Sequence, residues 1–482
     1  MDYSQFLVMK QEIGLLAVFI LVFLFDTFMP RNRQGAVGIV GCILFAIFTA
    51  LGFCPAFTGC YADAFSGMYS SSAAVVSIKN ILNIGALIVM IQALRWASQD
   101  EVSIRRGEFY ELLMVTLFGM YLMVSARHFL LFVIGLETAS LPLAAMVAFD
   151  KHRYESREAA AKYILTAVFS SAIFMMGLSF VYGLAGSLYF DGIATAIMGS
   201  EMSTLLVVAL AFVIAGIGFK LSLVPFHLWT ADVYQGAPTP VTSYLSVISK
   251  GAAAFAFLTI LWKVFGAVYS EAWEWMLYAL IILTITIGNL FAMRQRNIKR
   301  FLAFSSISQA GYIMLGVIAM NPMGLSALMY YVLVYIFSNL AAFGVIGAIE
   351  NASGKVWIDD YKGLYKTNPR LSFAMMLAMF SLAGIPPFAG FFSKFFIFTS
   401  AINQGSVAIY VLVLIALINT IISLYYYLLV VKAMFISQDE CVVPTFRSAC
   451  SERFALWICV GGIMLLGIVS CVYNSLLTVA GC

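Results

Sequence analysis

Runs of about 18 apolar residues or more recur from one end of the chain to the other, separated by short stretches of charge, glycine or proline. As a helix, each run is long enough to cross roughly 30 Å of hydrocarbon. The pattern predicts fourteen crossings, near 13–29, 36–53, 80–96, 110–126, 129–149, 160–185, 203–229, 239–264, 274–293, 300–320, 325–349, 371–402, 408–434 and 454–477.

The separating stretches differ by side. Loops after odd-numbered crossings, from Arg31 to Arg453, hold twenty of the 27 Lys and Arg residues, whereas the opposite face holds only Lys10, Lys79, Arg127 and Lys263. Positive charge stays on the cytoplasmic side, so odd loops are expected in the cytoplasm and both termini outside. The remaining three, Lys220, Lys250 and Lys394, fall inside apolar runs.

A repeat is visible. Tyr163-Ile-Leu-Thr-Ala-Val-Phe-Ser170 in the sixth run and Tyr331-Val-Leu-Val-Tyr-Ile-Phe-Ser338 in the eleventh carry like residues at six of eight positions. The run after each is interrupted by proline and carries a lysine: Lys220 with Pro225, then Lys394 with Pro386 and Pro387. Interrupted helices at corresponding positions mark inverted-repeat transporters whose pathway lies near the midplane. The fold class is therefore all-α integral membrane, about 14 transmembrane helices with two inverted five-helix repeats containing interrupted helices. The expected division is an N-terminal three-helix segment over 1–109, a first repeat over 110–270, a second over 271–436 and a C-terminal helix over 437–482.

The buried charges carry the candidate chemistry. Glu137 lies in mid-run, where a charge costs at least about 2.5 kcal/mol and so needs a partner, water or a task. Lys220 stands just before Pro225, where a broken helix frees carbonyls and admits water. Burial disfavours the charged lysine and a nearby carboxylate favours it, so a lysine whose partner moves can take up and release a proton. Lys250 follows Ser246 and Ser249, which can solvate it, and Lys394 follows the Gly/Pro cluster at 384–387. The bland readings are a structural ion pair for Glu137, snorkelling for Lys250 and a simple kink for Lys394. His227 is a candidate relay or a packing histidine. Asp232 ends the same helix and is expected to face a loop, as are His128 and His152. Asp26 and Glu111 lie near span ends and require no function. Ser305, Ser306, Ser308 and Gln309 of the tenth run are expected in the same mid-membrane layer, in place of an acid.

Composition narrows the function classes. At 63% hydrophobic and 10% charged, the chain is not a soluble globule, which carries about a quarter charged residues. No basic run is dense enough for nucleic acid, and Met1 to Lys10 lacks the positive region of a cleaved signal peptide. The eight cysteines form no Cys-x-x-Cys, and the three histidines are far apart, so no metal, haem or iron–sulfur site is expected. Cys54 and Cys60 share one loop and are a candidate disulfide.

Two blocks, Gly218-Phe-Lys-Leu-Ser-Leu-Val-Pro-Phe-His-Leu-Trp229 with the following Ala237-Pro-Thr-Pro-Val241, and Ser381-Leu-Ala-Gly-Ile-Pro-Pro-Phe-Ala-Gly-Phe-Phe-Ser-Lys-Phe395, resemble the antiporter-like membrane subunits of respiratory complex I, the proton-pumping NADH:quinone oxidoreductase. The resemblance spans essentially the whole chain. It implies proton translocation along a hydrated axis on Glu137, Lys220, Lys250 and Lys394. It also implies no cofactor in this chain, with flavin, iron–sulfur clusters and quinone on partner subunits. The M type of this family usually carries glutamate where Lys394 stands, and the L type has a long C-terminal extension, which leaves the N type. The first three helices, absent from the mitochondrial equivalent of many animals, imply a bacterial inner membrane. Expected partners are the lipid bilayer and other complex I membrane subunits, the M-type antiporter-like subunit and small membrane subunits among them. The rivals are a subunit of a multi-subunit Na+/H+ antiporter or membrane-bound hydrogenase, and a non-transporting scaffold.

Overall fold

The structure is a computed structural model that describes residues 3–30, 35–59, 61–99, 102, 105–198, 204–266, 271–436, 442–469 and 471–481. Cys60, and with it the candidate disulfide to Cys54, lies outside the described residues.

Helices dominate because a chain in lipid must satisfy its backbone polar groups internally. In chain order they are α1 (Lys10–Phe28), α2 (Gly35–Leu51), α3 (Ala73–Trp96), α4 (Arg106–Ser125), α5 (Phe129–Val147), α6 (Tyr154–Ala185) and α7 (Thr204–Leu221). There follow α8 (Leu228–Gly236), α9 (Thr239–Phe265), α10 (Glu271–Ala292), α11 (Ile298–Ile318) and α12 (Pro322–Ser353). The last are α13 (Pro369–Ala383), α14 (Ala389–Ile402), α15 (Val407–Ile436), α16 (Cys450–Ile468) and α17 (Cys471–Gly481). Among the described residues, twelve helices are long and apolar enough to cross a membrane alone. Helix α2 matches the second predicted run, and α13 with α14 form one interrupted crossing, so every predicted run has its helix.

Outward faces of α1, α6 and α15 expose large apolar side chains such as Leu165, Phe169 and Ile421, which suit contact with acyl chains. Helix α11 is the opposite case: every residue from Phe301 to Ile318 is buried. It runs through the middle of the molecule against α9, α10, α12 and α14. A two-strand hairpin, β1 (Asp63–Ala64) paired with β2 (Tyr69–Ser70), lies between α2 and α3 and bridges from Tyr69 to Ala126, between α4 and α5.

Ion pairs confirm that odd-loop residues gather on one face. Asp232 joins Lys162 and Arg300, and Glu350 joins Arg153 and Lys299. Asp232 is thus a bridging residue between α6, α8 and α11, not a loop-facing acid.

Two further expectations are corrected. Lys79 is not a loop lysine: α3 begins at Ala73, and the buried Lys79 ammonium pairs with Glu12 of α1 at 2.5 Å and donates to Tyr69 Oη at 3.0 Å. Its partner lies 67 residues away, which hid the reason a lysine could enter the span. His128 is not a surface residue either. It is buried at the start of α5, where its Nδ1 accepts the Leu130 N–H at 3.1 Å. Burial pushes its imidazole below the usual histidine range, which suits a neutral accepting nitrogen.

Candidate functional site

Both interrupted crossings stop in the same way. In the first, Ser222 takes the left-handed conformation (φ 62°), Ser222 N donates to Phe219 O and Leu223 N donates to Gly218 O. In the second, Gly384 is left-handed (φ 87°), its N–H reaches Ser381 O, and Ile385 N reaches Phe380 O. This pair of bonds is the Schellman stop, and it leaves the last carbonyls of each half-helix free for other donors. A left-handed serine is strained where glycine is not; Thr230 Oγ1 donates to Ser222 Oγ at 2.8 Å and helps to hold it. In each block, proline stands three residues after the stop, at Pro225 and Pro387. The Tyr-to-Ser repeat also meets these crossings in parallel. Ser170 Oγ donates to Gly216 O of α7, and Ser338 Oγ shares a hydrogen bond with Ser381 Oγ of α13.

The lysines use the breaks differently. Lys394 lies after its break and donates to the free Leu382 and Ala383 carbonyls, both at 3.0 Å. Its ammonium also sits 5.1 Å from the centre of the Tyr312 ring, a cation–π contact. A Cβ on Gly384 would stand 3.2 Å from Lys394 Cδ, so glycine serves both the turn and the lysine stem. Lys220 lies before its break and donates to Ser140 Oγ of α5 at 2.7 Å.

Glu137 stands one turn before Ser140, on the same strip of α5. It is half-buried and within electrostatic range of Lys220 and Tyr163, yet among the described residues no ion pair joins it to Lys220. Lys220 is thus bonded to the neutral Ser140, with Glu137 one helical turn away along α5.

Lys250 opens the last regular stretch of α9 directly after a π-turn, Leu245–Ser249. Such turns loosen the regular ladder and recur at functional sites. Its ammonium does not take Ser246 and Ser249 as partners. It crosses to α11 and donates to Ser306 Oγ at 2.7 Å and Ser306 O at 3.2 Å, with the Tyr234 ring centre 5.6 Å away. Ser246 instead accepts from Asn339 Nδ2 at 2.7 Å.

Polar residues of α11 continue from that point. Ser305 shares a hydrogen bond with Tyr427 Oη at 2.5 Å, and Gln309 donates to the same Oη at 3.2 Å. Gln309 also accepts from Tyr331 Oη and donates to Leu382 O at 3.4 Å, the carbonyl that Lys394 uses. Little more than one turn of this buried helix, Ser305 to Gln309, thus touches Lys250 at one end and the partner of Lys394 at the other. His227 stands in the break itself, seven residues after Lys220, half-buried and within electrostatic range of Lys250, its Nδ1 buried without a hydrogen-bond partner.

Sequence reading missed Glu350. A cleft of about 260 Å3 opens on the odd-loop face, lined by Gln92, Asp150, Arg153, Ser243 and Glu350 among others. At its floor Glu350 accepts from Thr239 Oγ1 and from the buried Lys299 ammonium at 3.4 Å. Thr239, Ser243, Ser246 and Lys250 follow at helical spacing, so polar groups line the way from the cleft to Lys250. An acid near a span end gives no signal by itself; its pairing with Lys299, 51 residues away, does.

A family model described as NADH:quinone oxidoreductase/Mrp antiporter, TM, matches residues 126–423. The chain is 54% identical over 477 residues to NADH-quinone oxidoreductase subunit N of Phocaeicola vulgatus, covering 99% of each. It superposes on a chain of respiratory complex I from Thermus thermophilus with a TM-score of 0.79 at 31% identity, covering 95% of this chain and 97% of that one. A chain of the Mrp complex from Dietzia shares the fold, with a TM-score of 0.84 at 21% identity over 100% of this chain and 97% of that one.

Proposed function

We infer the function from one premise: the chain belongs to the NADH:quinone oxidoreductase/Mrp antiporter transmembrane family. It is a multi-pass, proton-translocating membrane subunit of a bacterial NADH:quinone oxidoreductase, assembled with other membrane subunits of that complex. The finer reading is that Glu137, Lys220, His227, Lys250 and Lys394 carry the proton. The observation behind it is the buried polar strip of α11, which meets Lys250 through Ser306 and shares Leu382 O with Lys394 through Gln309.

In this mechanism Lys220 moves between Ser140 and Glu137. Contact with the carboxylate favours the ammonium, and return to the hydroxyl favours proton release. His227 and water pass the proton to Lys250, and the α11 strip passes it towards Lys394. Quinone reduction elsewhere in the complex drives the movement, and flavin, iron–sulfur clusters and quinone belong to partner subunits. The two repeats are proposed at 110–270 and 271–436, between the three-helix segment 1–109 and the C-terminal helix 437–482, a division the paired Schellman stops support. Both termini are proposed on the outer face, from the Lys and Arg asymmetry.

The direct test is Lys220→Ala or Glu137→Ala in the assembled complex in vesicles. Protons moved per NADH oxidised should fall, while NADH oxidation by an artificial acceptor stays at the parent rate. Normal pumping in either variant ends this mechanism.

The Glu350 cleft is the proposed entrance for protons from the odd-loop face. Glu350→Gln is expected to slow delivery to Lys250 by on the order of a hundredfold, the lower end of what a positioned acid–base group supplies. Glu350→Asp should restore most of it. Pumping by Glu350→Gln at the parent rate would move the entrance elsewhere.

A further inference from the structure

The odd-loop ends of α13 and α16 leave a groove of about 1210 Å3 between them. Phe373, Phe454 and Trp457 stand exposed along it, Trp457 at 75%. Arg370, Arg447 and Arg453 line it too, and among the described residues no carboxylate does. None of these arginines forms an ion pair among the described residues, and Arg453 Nε is buried without a hydrogen-bond partner. The nearest acid of α16, Glu452, turns inward to accept from Asn351 Nδ2 and Ala449 N.

Several properties point to one ligand. Aromatic side chains below a ring of cations match the boundary between headgroups and acyl chains. Both α13 and α16 begin at this groove, so their positive ends add to the arginine field. From Cys450 to Val460 the wall descends about 15 Å, half of the hydrocarbon layer. A soluble anion would use the arginines and leave the apolar wall wet. A neutral lipid would use the wall and leave three cations unmatched.

We propose that this groove binds an anionic diacyl phospholipid, with its phosphate on Arg370, Arg447 and Arg453 and an acyl chain along Phe373, Phe454 and Trp457. Basic pockets between helix ends on the cytoplasmic side recognise such headgroups.

The test uses the assembled complex in vesicles containing phosphatidylglycerol or phosphatidylcholine that carries a photoactivatable acyl chain. Phosphatidylglycerol should label residues 445–460 well above phosphatidylcholine. Arg370→Gln and Arg447→Gln, both exposed side chains, should each lower that labelling by about fivefold. Arg453→Lys keeps the charge but loses Nε and should lower it too. Equal labelling by the two lipids would make this an ordinary lipid boundary. Absence of labelling by either would mean that a neighbouring subunit covers the groove. Displacement by millimolar inorganic phosphate would make it a soluble-anion site. Each of these outcomes overturns the proposal.

Discussion

Replacing Lys250 with methionine is expected to stop proton passage through this subunit while the complex still assembles. Methionine matches the length of the lysine stem, and removing a buried ammonium with its shape retained is usually tolerated by the surrounding structure. Ser306 keeps its place on α11, but nothing at position 250 can then accept or release a proton. A positioned acid–base group contributes on the order of a hundredfold to ten-thousandfold in rate, so passage should fall at least a hundredfold. In reconstituted vesicles, the readout is protons translocated per NADH oxidised, which should drop by the share this subunit carries. Ser306→Ala should give a smaller loss, since the Ser306 carbonyl remains as acceptor at 3.2 Å. An unchanged ratio in Lys250→Met would show that the route bypasses α9.

The second large effect concerns stability. Glu12→Ala leaves the Lys79 ammonium, 1% exposed, without its carboxylate and with only Tyr69 Oη as hydrogen-bond partner. Breaking a buried pair from one side costs about 3–5 kcal/mol, a large fraction of the stability of any domain. The chain should therefore accumulate poorly in membranes and lose thermal stability in detergent. Removing both charges, as Glu12→Gln with Lys79→Met, should recover most of the loss, because no unmatched ion remains. Parent-like stability in Glu12→Ala would mean that the pair contributes nothing to the three-helix segment.

These two residues show where sequence reading succeeds and where it stops. Lys250 was legible because a charge ten positions inside an apolar run has no inexpensive explanation. The same logic found Lys220 and Lys394, and proline beside them announced the interruptions. Lys79 failed the same test because it lies near a span end, where a charge needs no partner, and its partner is on another helix. Glu350 and Lys299 were hidden for the same reason. Ser306 was legible as polar lining but not as the partner of Lys250, since that contact depends on how α9 is set against α11. The π-turn before Lys250 has no composition signal in Leu245–Ser249, and neither does the capping role of His128.

The strip of α11 between Lys250 and Lys394 also bears on what cannot pass. Ser306 meets Lys250, while Ser305, Tyr427 and Gln309 form a second group that reaches Leu382 O, with contacts of 2.5 to 3.4 Å on a helix buried on all sides. On the proposed route a sodium ion would have to shed its water shell and pass two lysines that repel it whenever they are charged. A hopping proton needs neither room nor a counter-charge beyond the groups already in place. On the proposed route, discrimination against metal cations would come from the contact distances themselves.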